Sequence, residues 1–264
     1  VFLITNGQKP EWLNLDHPKL RLVTHKEFMP LDYLPTFNSA AIELNLHRIE
    51  ELSENYLYFN DDMYMIRDCK PSDFYKNNLP KLFAVYDAIV PWAPITKTYL
   101  NNIELIYRHF PNKAAMKTSP WKFFNYRYGL RLFKNLVLLP WGPTGYVNPH
   151  LPVPMKKSTL ANLWQIEFET LDRTSKSKIR DYKVDVNQYI CQYWQIESNQ
   201  FYPIALNIGK SIDFNRLDQL DRIFKDKHKK LLCVNDNFDF KEENLLRFKQ
   251  ILDERYPEKS TFEL

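Results

Sequence analysis

The chain has 264 residues, enough for one large domain or for one domain with an insertion. With 44% hydrophobic and 15% aromatic residues, its composition is that of a globular protein and excludes an intrinsically disordered chain. The formal net charge of +4 is compatible with an anionic substrate or an acidic membrane surface and requires neither.

Three cysteines lie far apart, at Cys69, Cys191 and Cys233. Their number and spacing fit neither a disulfide framework nor a zinc site, which favours a reducing compartment. No stretch approaches the roughly 20 apolar residues of a membrane span, and the apolar run at the start is too short for a signal peptide. The chain begins without Met, directly on a strand-like run, which is compatible with a fragment of a longer protein.

Two strand-like runs come first. Residues 1–5 (VFLIT) predict a buried strand, which the strong turn pair Asn6-Gly7 closes. Residues 20–24 (LRLVT) predict a second strand.

A helix follows, predicted over roughly Ala40 to Leu52 and capped by Asn38 or Ser39. Ser39, Glu43 and His47 are spaced four apart, so this helix would carry them on one face. A helix N-terminus with free N–H groups and a hydroxyl is a natural seat for a phosphate. A capped amphipathic helix with a solvated Glu43–His47 pair explains the same spacing equally well.

The chain is organised around residues 56–62 (YLYFNDD), where an apolar, β-forming run stops at Asn60, Asp61 and Asp62. In open α/β sheets, ligands bind just beyond the carboxyl ends of strands, and these oxygens suit a divalent cation there. An ordinary turn after a strand is the simpler explanation when the triplet is taken alone. The alternation of strands and helices up to this point predicts an α/β sheet.

Residues 69–139 are predicted to form a mainly helical insertion that shapes the acceptor side. Apolar and aromatic residues keep helical spacing between residues 123 and 137, with Arg127, Arg131 and Lys134 along another face. Such a face can bind nucleic acid, an anionic acceptor chain or a membrane surface. A helix with a solvated basic face is the simpler explanation.

Two further stretches carry candidate site residues. Prolines on both sides of His150 fix the backbone there, so its imidazole is held with little entropy left to lose. Residues 231–234 (LLCV) predict a buried strand ending at Asn235 and Asp236, so a second strand also ends in an amide and a carboxylate. A helix is predicted near Lys156–Glu169, and Asp239 with Glu242 resembles a capping box at the start of the last helix.

The segments ITNGQ-PEWLNLDHP, VTH, LPTFNSAAIE-N-HRIE-LSE and YLYFNDD, between Phe2 and Asp62, resemble the Stealth family. This family includes bacterial capsular-polysaccharide sugar-1-phosphate transferases and the catalytic subunit of the lysosomal-enzyme N-acetylglucosamine-1-phosphotransferase. HLPVPM at 150–155 resembles its H-x-P-x-P-M block, and residues 231–264 resemble its closing block. The resemblance implies that His150 is an active-site residue and that Arg180 takes the place of an active-site Arg, whose planar guanidinium matches phosphate oxygens in pairs.

The activity implied by the resemblance is transfer of a hexose(amine)-1-phosphate from a nucleotide-diphospho-sugar, expected to be UDP-linked, to a hydroxyl of a glycan acceptor. Phosphoryl transfer needs positioning and charge neutralisation, to which Mg²⁺ or Mn²⁺ would contribute. One of Asp61 and Asp62 would bind the metal while the other acts as base or orients the acceptor, and His150 is another candidate base. The expected residues are Asp61, Asp62, His150 and Arg180 for catalysis, Asn6, Gly7, Asn38, Ser39, Glu43, His47, Arg48 and Asn60 for substrate binding, and Asp62, Asn235 and Asp236 for the metal.

The expected fold is α/β, a Rossmann-like open, mostly parallel sheet with flanking helices and a helical insertion. Residues 1–68 and 140–264 would form its core, and residues 69–139 the insertion. The family's first block, a strand of the D-x-V-Y-T-W-V type, normally precedes the ITNGQ strand and is absent, so either the sequence is truncated or a donor-side wall is missing. The expected location is cytoplasmic, with peripheral contact at the inner face of the cell membrane, and no nucleic acid is expected as a partner.

Two other functions stay open. A glycosyltransferase would use the same metal triplet to transfer the sugar without its phosphate. A non-catalytic domain would bind an anionic glycan or nucleic acid through the Trp121–Lys134 face.

Overall fold

A computed structural model of the protein describes residues 1–236 and 241–264, in which strands and helices alternate and so confirm the α/β class. The strands are β1 (Phe2–Thr5), β2 (Arg21–Thr24), β3 (Asn55–Tyr58), β4 (Met63–Met65), β5 (Tyr75–Lys76), β6 (Leu79–Leu82), β7 (Tyr86–Asp87), β8 (Gly145–Tyr146), β9 (Val153–Lys156), β10 (Tyr202–Pro203), β11 (Gly209–Asp213) and β12 (Leu231–Asn235). The α-helices are α1 (His25–Phe28), α2 (Ser39–Glu43), α3 (Pro71–Phe74), α4 (Ile95–His109), α5 (Ala114–Thr118), α6 (Pro120–Phe123), α7 (Leu132–Val137), α8 (Lys157–Ile166), α9 (Phe168–Lys176), α10 (Tyr189–Glu197), α11 (Leu220–Lys225) and α12 (Glu242–Arg255). Short 3-10 helices lie at Leu31–Tyr33, Leu46–Arg48, Tyr126–Arg131, Leu206–Ile208 and Phe214–Gln219.

The described strands form small sheets of two or three strands each. Three pairs are parallel, β1 with β2, β6 with β10 and β11 with β12. The others are antiparallel, β4 with β12, β3 with β9, β5 with β6 and β7 with β8. The predicted Rossmann-like open, mostly parallel sheet is therefore not confirmed. Parallel neighbours need a crossover of about a dozen residues or more, and the short turn between β3 and β4 instead sends the chain from one small sheet to another.

Three hydrophobic clusters hold these elements together. The largest surrounds α10, whose side chains are almost all buried, the polar Gln192, Gln195 and Glu197 among them. A second packs β11 and β12 against α11 and α12. The third is small and contains Met63, Leu151 and Cys233. Because Met63 follows Asp62 and Leu151 follows His150, this cluster fixes the backbone beside two predicted site residues.

The predicted helix over 40–52 is much shorter than expected. It ends at Glu43, and Leu46–Arg48 is a separate 3-10 turn. The cause is Asn45, which is fully buried and whose amide donates to Ala41 O at 2.8 Å and to Ser175 Oγ at 2.9 Å. Such side-chain bonds compete with continued helix. The cap is Asn38, whose Oδ1 accepts from Ala40 N–H at 3.2 Å.

Other predicted elements also differ in detail. The helix near Lys156–Glu169 is two helices, α8 and α9, because Glu167 has non-helical angles (φ −119°, ψ 37°). Residues 69–139 contain β5 to β7 as well as helices. Asp239 of the predicted capping box lies outside the described residues. None of the described helices combines the length and the apolar character needed to cross a bilayer.

Candidate active site

Asp62 lies in the turn between β3 and β4, where two of the small sheets meet. Its backbone carbonyl accepts a hydrogen bond of 3.0 Å from Val234 N–H in β12. The next residue, Met63, is paired with Cys233 in the antiparallel register of β4 and β12. Asp61 is exposed while Asp62 is half-buried, so this turn gives the two carboxylates different surroundings.

Asp62, His150 and Cys233 form a compact group, called here the Asp62 cluster. His150 Nε2 lies 3.1 Å from Asp62 Oδ2, and the Cys233 thiol donates to the same oxygen at 3.2 Å. The other carboxylate oxygen, Oδ1, is buried and has no hydrogen-bond partner among the described residues. One potential ligand atom from each side chain lies within 4.8 Å of the other two, so the cluster can hold a metal ion.

The hydrogen bonds of the Asp62 cluster fix its ionisation. Burial acts to raise the pKa of Asp62, but the bonds from His150 and Cys233 outweigh it, so the pKa lies below its usual value. Burial and the bond to Asp62 raise the pKa of Cys233 to about 12. Asp62 is therefore a carboxylate at neutral pH, and Cys233 is a thiol that donates to it.

His150 is held from three sides. Its φ is +48°, an uncommon value for a residue other than glycine, and its N–H donates to Asn148 Oδ1 at 2.9 Å. Its Nδ1 lies 3.2 Å from the Tyr189 hydroxyl, opposite the contact of Nε2 with Asp62. Since a carboxylate only accepts, we assign a proton to Nε2 and a hydrogen bond from Tyr189 to Nδ1. His150 thus orients Asp62 Oδ2 and leaves Oδ1 available.

A second polar group lies beside this cluster. The Tyr58 hydroxyl donates to Glu43 Oε1 at 2.7 Å and lies 2.5 Å from Asn60 Oδ1. Burial raises the pKa of Glu43, although the Tyr58 hydrogen bond and the positive charge of Arg180 oppose this rise. The charges of Glu43 and Asp62 both raise the pKa of Tyr189, after the larger effect of its burial, so Tyr189 is close to both groups.

Arg180 lies against the start of α2. Its guanidinium donates to Ser39 Oγ and faces the Tyr182 ring at 5.9 Å. Arg180 therefore contacts Ser39, and its positive charge also acts on Glu43. Two nitrogens of the Arg180 fork have no described hydrogen-bond partner and can bind an anion.

Several predicted site residues have other contacts. Asn38 is fully buried, caps α2 and donates to Asp185 Oδ2 at 2.9 Å. His47 lies 5.9 Å from the Trp164 ring, and Arg48 covers the same ring at 4.7 Å. Burial lowers the pKa of His47 to about 4. These contacts are typical of residues that hold the fold.

The remaining predicted residues lie at strand ends. Asn6 and Gly7 follow β1, where Gly7 has φ +101° and donates to Thr5 Oγ1 at 3.0 Å. Asn235 ends β12, half-buried, and Asp236 is exposed. Both follow Val234, whose N–H donates to the Asp62 backbone carbonyl, so the end of β12 lies beside the turn that carries Asp62.

Two residues of this site were missed in the sequence. Cys233 was interpreted only as part of a buried strand, although it is two residues before Asn235 and therefore on the same face of the strand. Tyr189 lies in an aromatic helix, and nothing in that pattern separates a residue that contacts His150 from one that fills the core.

Comparisons with known proteins agree on one family. The family model described as Stealth protein CR2, conserved region 2, matches residues 1–82. The capsular polysaccharide phosphotransferase WcwK of Streptococcus pneumoniae is 38% identical over 269 residues, covering 100% of this chain and 80% of that protein. The capsular polysaccharide phosphotransferase CpsJ of Streptococcus thermophilus is 58% identical over 135 residues, 51% of this chain and 57% of that protein. The exopolysaccharide phosphotransferase cps2G of Lactiplantibacillus plantarum is 34% identical over 268 residues, 100% of this chain and 79% of that protein.

Proposed function

Because the chain belongs to the Stealth protein family, we propose that it is a sugar-1-phosphate transferase of capsular or exopolysaccharide synthesis. The observation that carries this proposal is the pairing of His150 with Asp62, two residues 88 positions apart that the sequence singled out independently. The full-length similarity to capsular polysaccharide phosphotransferases supports the same reaction.

The reaction we infer joins a nucleotide-diphospho-sugar and a glycan. A hydroxyl of the acceptor attacks the phosphorus that bears the sugar. The bond from this phosphorus to the bridging oxygen breaks, the nucleoside monophosphate leaves, and a phosphodiester remains. We propose a UDP-linked donor.

A divalent cation fits the oxygen side of this site. Asp62 Oδ1 is a buried acceptor without a described partner, and Asn235 and Asp236 follow the residue that binds the Asp62 backbone. Mg²⁺ and Mn²⁺ prefer such oxygens, whereas Cys233 keeps its proton. We propose that Asp62, with Asn235 and Asp236, holds Mg²⁺ or Mn²⁺, which when bound would offset charge on the pyrophosphate.

The side chains around the cation have distinct proposed roles. Asp61, exposed and adjacent to Asp62, orients the acceptor hydroxyl. His150 keeps Asp62 in position through the contact of its Nε2 with Oδ2 and is a candidate base beside that carboxylate. Arg180, held by Ser39, binds the oxygens of the transferring phosphate. Asn6, Gly7, Glu43 and Asn60 keep their predicted role in substrate binding.

The test measures the nucleotide released from UDP-N-acetylglucosamine with a glycan acceptor, with Mg²⁺, with Mn²⁺ and with EDTA. We expect UMP in the presence of either cation and none with EDTA. Asp62→Asn should lower the rate at least about 100-fold, because it removes the charge that holds the cation. Asp253→Asn, an exposed change on α12, is the matched control and should leave the rate unchanged.

The products separate the other functions. Release of UDP would identify a glycosyltransferase and overturn the proposal. Binding of an anionic glycan that persists in Asp62→Asn, with no nucleotide released by the unaltered chain, would identify a binding domain.

We propose that the protein is cytoplasmic and touches the inner face of the membrane through an apolar surface. Its residues are Val90, Trp92, Leu130, Phe133, Val137 and Trp141, each between 54% and 83% exposed. The Lys134–Asp87 ion pair of 2.7 Å joins the two segments that carry them. Large exposed apolar patches mark interaction sites, and Arg131 beside this one complements an anionic lipid surface.

Sedimentation with vesicles tests this contact. The chain should bind phosphatidylglycerol vesicles more strongly than phosphatidylcholine vesicles, and Phe133→Ser with Trp141→Ser should abolish the binding. Trp12→Ser removes an exposed Trp elsewhere and should not affect it. If the chain with Phe133→Ser and Trp141→Ser bound phosphatidylglycerol vesicles as strongly as the Trp12→Ser chain, the proposed membrane contact would be contradicted.

A further inference from the structure

A cleft of about 440 Å³ lies away from the Asp62 cluster and is strongly basic. It is bounded by β5, β6, β10 and the segments around residues 204–208 and 227–230. We call it the basic cleft. His228 lies in its lining. The Lys, Arg and Asp side chains that line it are Lys76, Lys81, Arg127, Lys227, Lys230 and Asp73.

The basic cleft concentrates positive charge that its one carboxylate, Asp73, compensates only in part. Five Lys or Arg side chains face one carboxylate, a surplus of four charges, which equals the formal net charge of +4 of the whole chain. Asp73 pairs with Lys230 at 2.7 Å. Among the described residues, no carboxylate forms an ion pair with any of the other four cations. Such a concentration in a concave surface raises the local concentration of anions.

Three of these cations, Lys76, Lys81 and Arg127, act on Tyr202. Lys76 Nζ donates to its hydroxyl at 3.0 Å and lies 4.4 Å from its ring centroid, while the Arg127 guanidinium is 5.9 Å from that centroid. The Lys76 hydrogen bond lowers the pKa of Tyr202, and the charges of Arg127 and Lys81 add to this effect. Burial lowers the pKa of Lys81, with Lys76 and Arg127 acting in the same direction.

Aromatic surface borders the same cations. The Arg127 guanidinium covers the Tyr126 ring at 4.7 Å, and Tyr126 is 77% exposed. The Trp121 ring, also exposed, lies 6.1 Å from that of Tyr202. Phosphate oxygens pair with guanidinium and ammonium groups, and the apolar face of a pyranose ring packs on an aromatic ring. The cleft therefore offers both surfaces that a phosphorylated sugar needs.

The basic cleft and the Asp62 cluster lie at opposite ends of one strand. Lys230 immediately precedes β12, whereas Cys233 lies within it and Asn235 ends it. At a rise of about 3.3 Å per residue, Lys230 and Cys233 are roughly 10 Å apart along the strand. One extended ligand can therefore reach both, but a single phosphate group cannot occupy both.

We propose that the basic cleft binds a phosphodiester group of the glycan acceptor, at a distance from the hydroxyl that is extended. This inference rests on the proposed function, in which every transfer adds a phosphodiester to the product. A chain that has been extended before therefore carries the anion that the cleft matches. A concave cleft accommodates a sugar phosphate, whereas a flat bilayer surface would reach only its rim.

Calorimetric titration of the full chain tests the proposal with two probes, a disaccharide of two glucose units joined by a phosphodiester and the neutral disaccharide isomaltose. The phosphodiester probe should bind more tightly. Lys76→Gln with Arg127→Gln should raise its Kd at least about tenfold, because two charged contacts are lost. Arg222→Gln with Arg247→Gln removes two exposed cations from α11 and α12 and should change Kd less than about twofold.

Three outcomes would overturn the cleft proposal. The two disaccharides could bind equally, the cleft variant could weaken UDP-N-acetylglucosamine as much as the phosphodiester probe, or it could lose only binding to phosphatidylglycerol vesicles. Nucleotide release by the unaltered chain is measured separately. A chain that releases no nucleotide but binds the phosphodiester probe through Lys76 and Arg127 refutes the transferase and keeps the cleft.

Discussion

At the scale of single residues, the two oxygens of Asp62 have different tasks. Oδ2 accepts hydrogen bonds from His150 and Cys233, while Oδ1 is buried without a described hydrogen-bond partner. A carboxylate held in this way cannot rotate freely, so its unbound oxygen keeps one direction. The thiol contributes as a hydrogen-bond donor, since its pKa of about 12 keeps it protonated.

Substitutions of Cys233 separate a donor from a metal ligand. We expect Cys233→Ser to keep the transfer rate within about threefold, because a hydroxyl also donates to Asp62. Cys233→Ala should lower the rate about tenfold, the effect of one hydrogen bond to a charged group. The measurement is the steady-state transfer rate of each variant, together with its melting temperature. A Ser variant as slow as the Ala variant would indicate that the sulfur itself is needed.

Arg180 should depend on shape as well as charge. Arg180→Lys keeps the positive charge but loses the planar fork, so kcat/KM should fall about tenfold or more. Arg173→Lys, an exposed change on α9, should leave kcat/KM unchanged. If Arg180→Lys behaves like Arg173→Lys, Arg180 does not hold the transferring phosphate.

At the scale of elements, the start of α2 depends on Asn38. This fully buried side chain caps the helix and donates to Asp185. Asn38→Ala should therefore lower the free energy of unfolding by about 2 kcal/mol, from the lost cap and the weakened Asp185 contact. Urea titration measures the change, and Asn215→Ala at an exposed position should have almost no effect. An unaltered urea midpoint for Asn38→Ala would show that the cap is dispensable.

Individual strands could be predicted, but their partners could not. The predicted strands near residues 1–5, 20–24, 56–59 and 231–234 correspond to β1, β2, β3 and β12. The prolines at 152 and 154 argue against a strand, yet Val153–Lys156 forms β9, because Pro154 is tolerated in a two-stranded pair with a free edge. Pairing over such distances depends on side-chain packing that no local pattern encodes.

The same limit applies to the candidate site. Asp62 and His150 could be selected from a strand end and a proline-fixed loop, and the structure brings them together. Asn38 and His47 share a sequence segment with Ser39 and Glu43 but contact Asp185 and Trp164 instead. Helical spacing predicted one face for Ser39, Glu43 and His47, but α2 ends at Glu43, before His47.

At the scale of the whole molecule, Glu197 ties α10 to β7 and β8. Its Oε1 accepts from the Tyr86 and Tyr146 hydroxyls at 2.5 and 2.6 Å, and its side chain is buried. Burial raises the pKa of Glu197 above its usual 4.5, against the opposing effect of the two hydroxyls. Between pH 4.5 and its folded-state pKa, Glu197 is therefore protonated in the folded chain and ionised in the unfolded chain.

The stability of the protein should consequently decrease as the pH rises from 4.5 through the folded-state pKa of Glu197. Glu197→Gln keeps an acceptor for both hydroxyls and cannot ionise, so its stability relative to the unaltered chain should increase with pH. Denaturant titrations at pH 4.5, 6 and 8 measure this difference. The stability of the exposed Glu169→Gln variant should change with pH as that of the unaltered chain does. If the stability of Glu197→Gln also followed the unaltered chain, Glu197 would not be the source of the pH dependence.

The pairing of β4 with β12 has a consequence for biosynthesis. Asp62 and Cys233 are 171 residues apart, so the carboxylate leaves the ribosome well before the strand that supplies the thiol and the Val234 amide. At about 5–20 residues per second, this interval lasts on the order of ten seconds or more. A nascent chain therefore lacks the complete Asp62 cluster until β12 has been synthesised, and a chain that ends before β12 has neither the Cys233 thiol nor the Val234 amide beside Asp62.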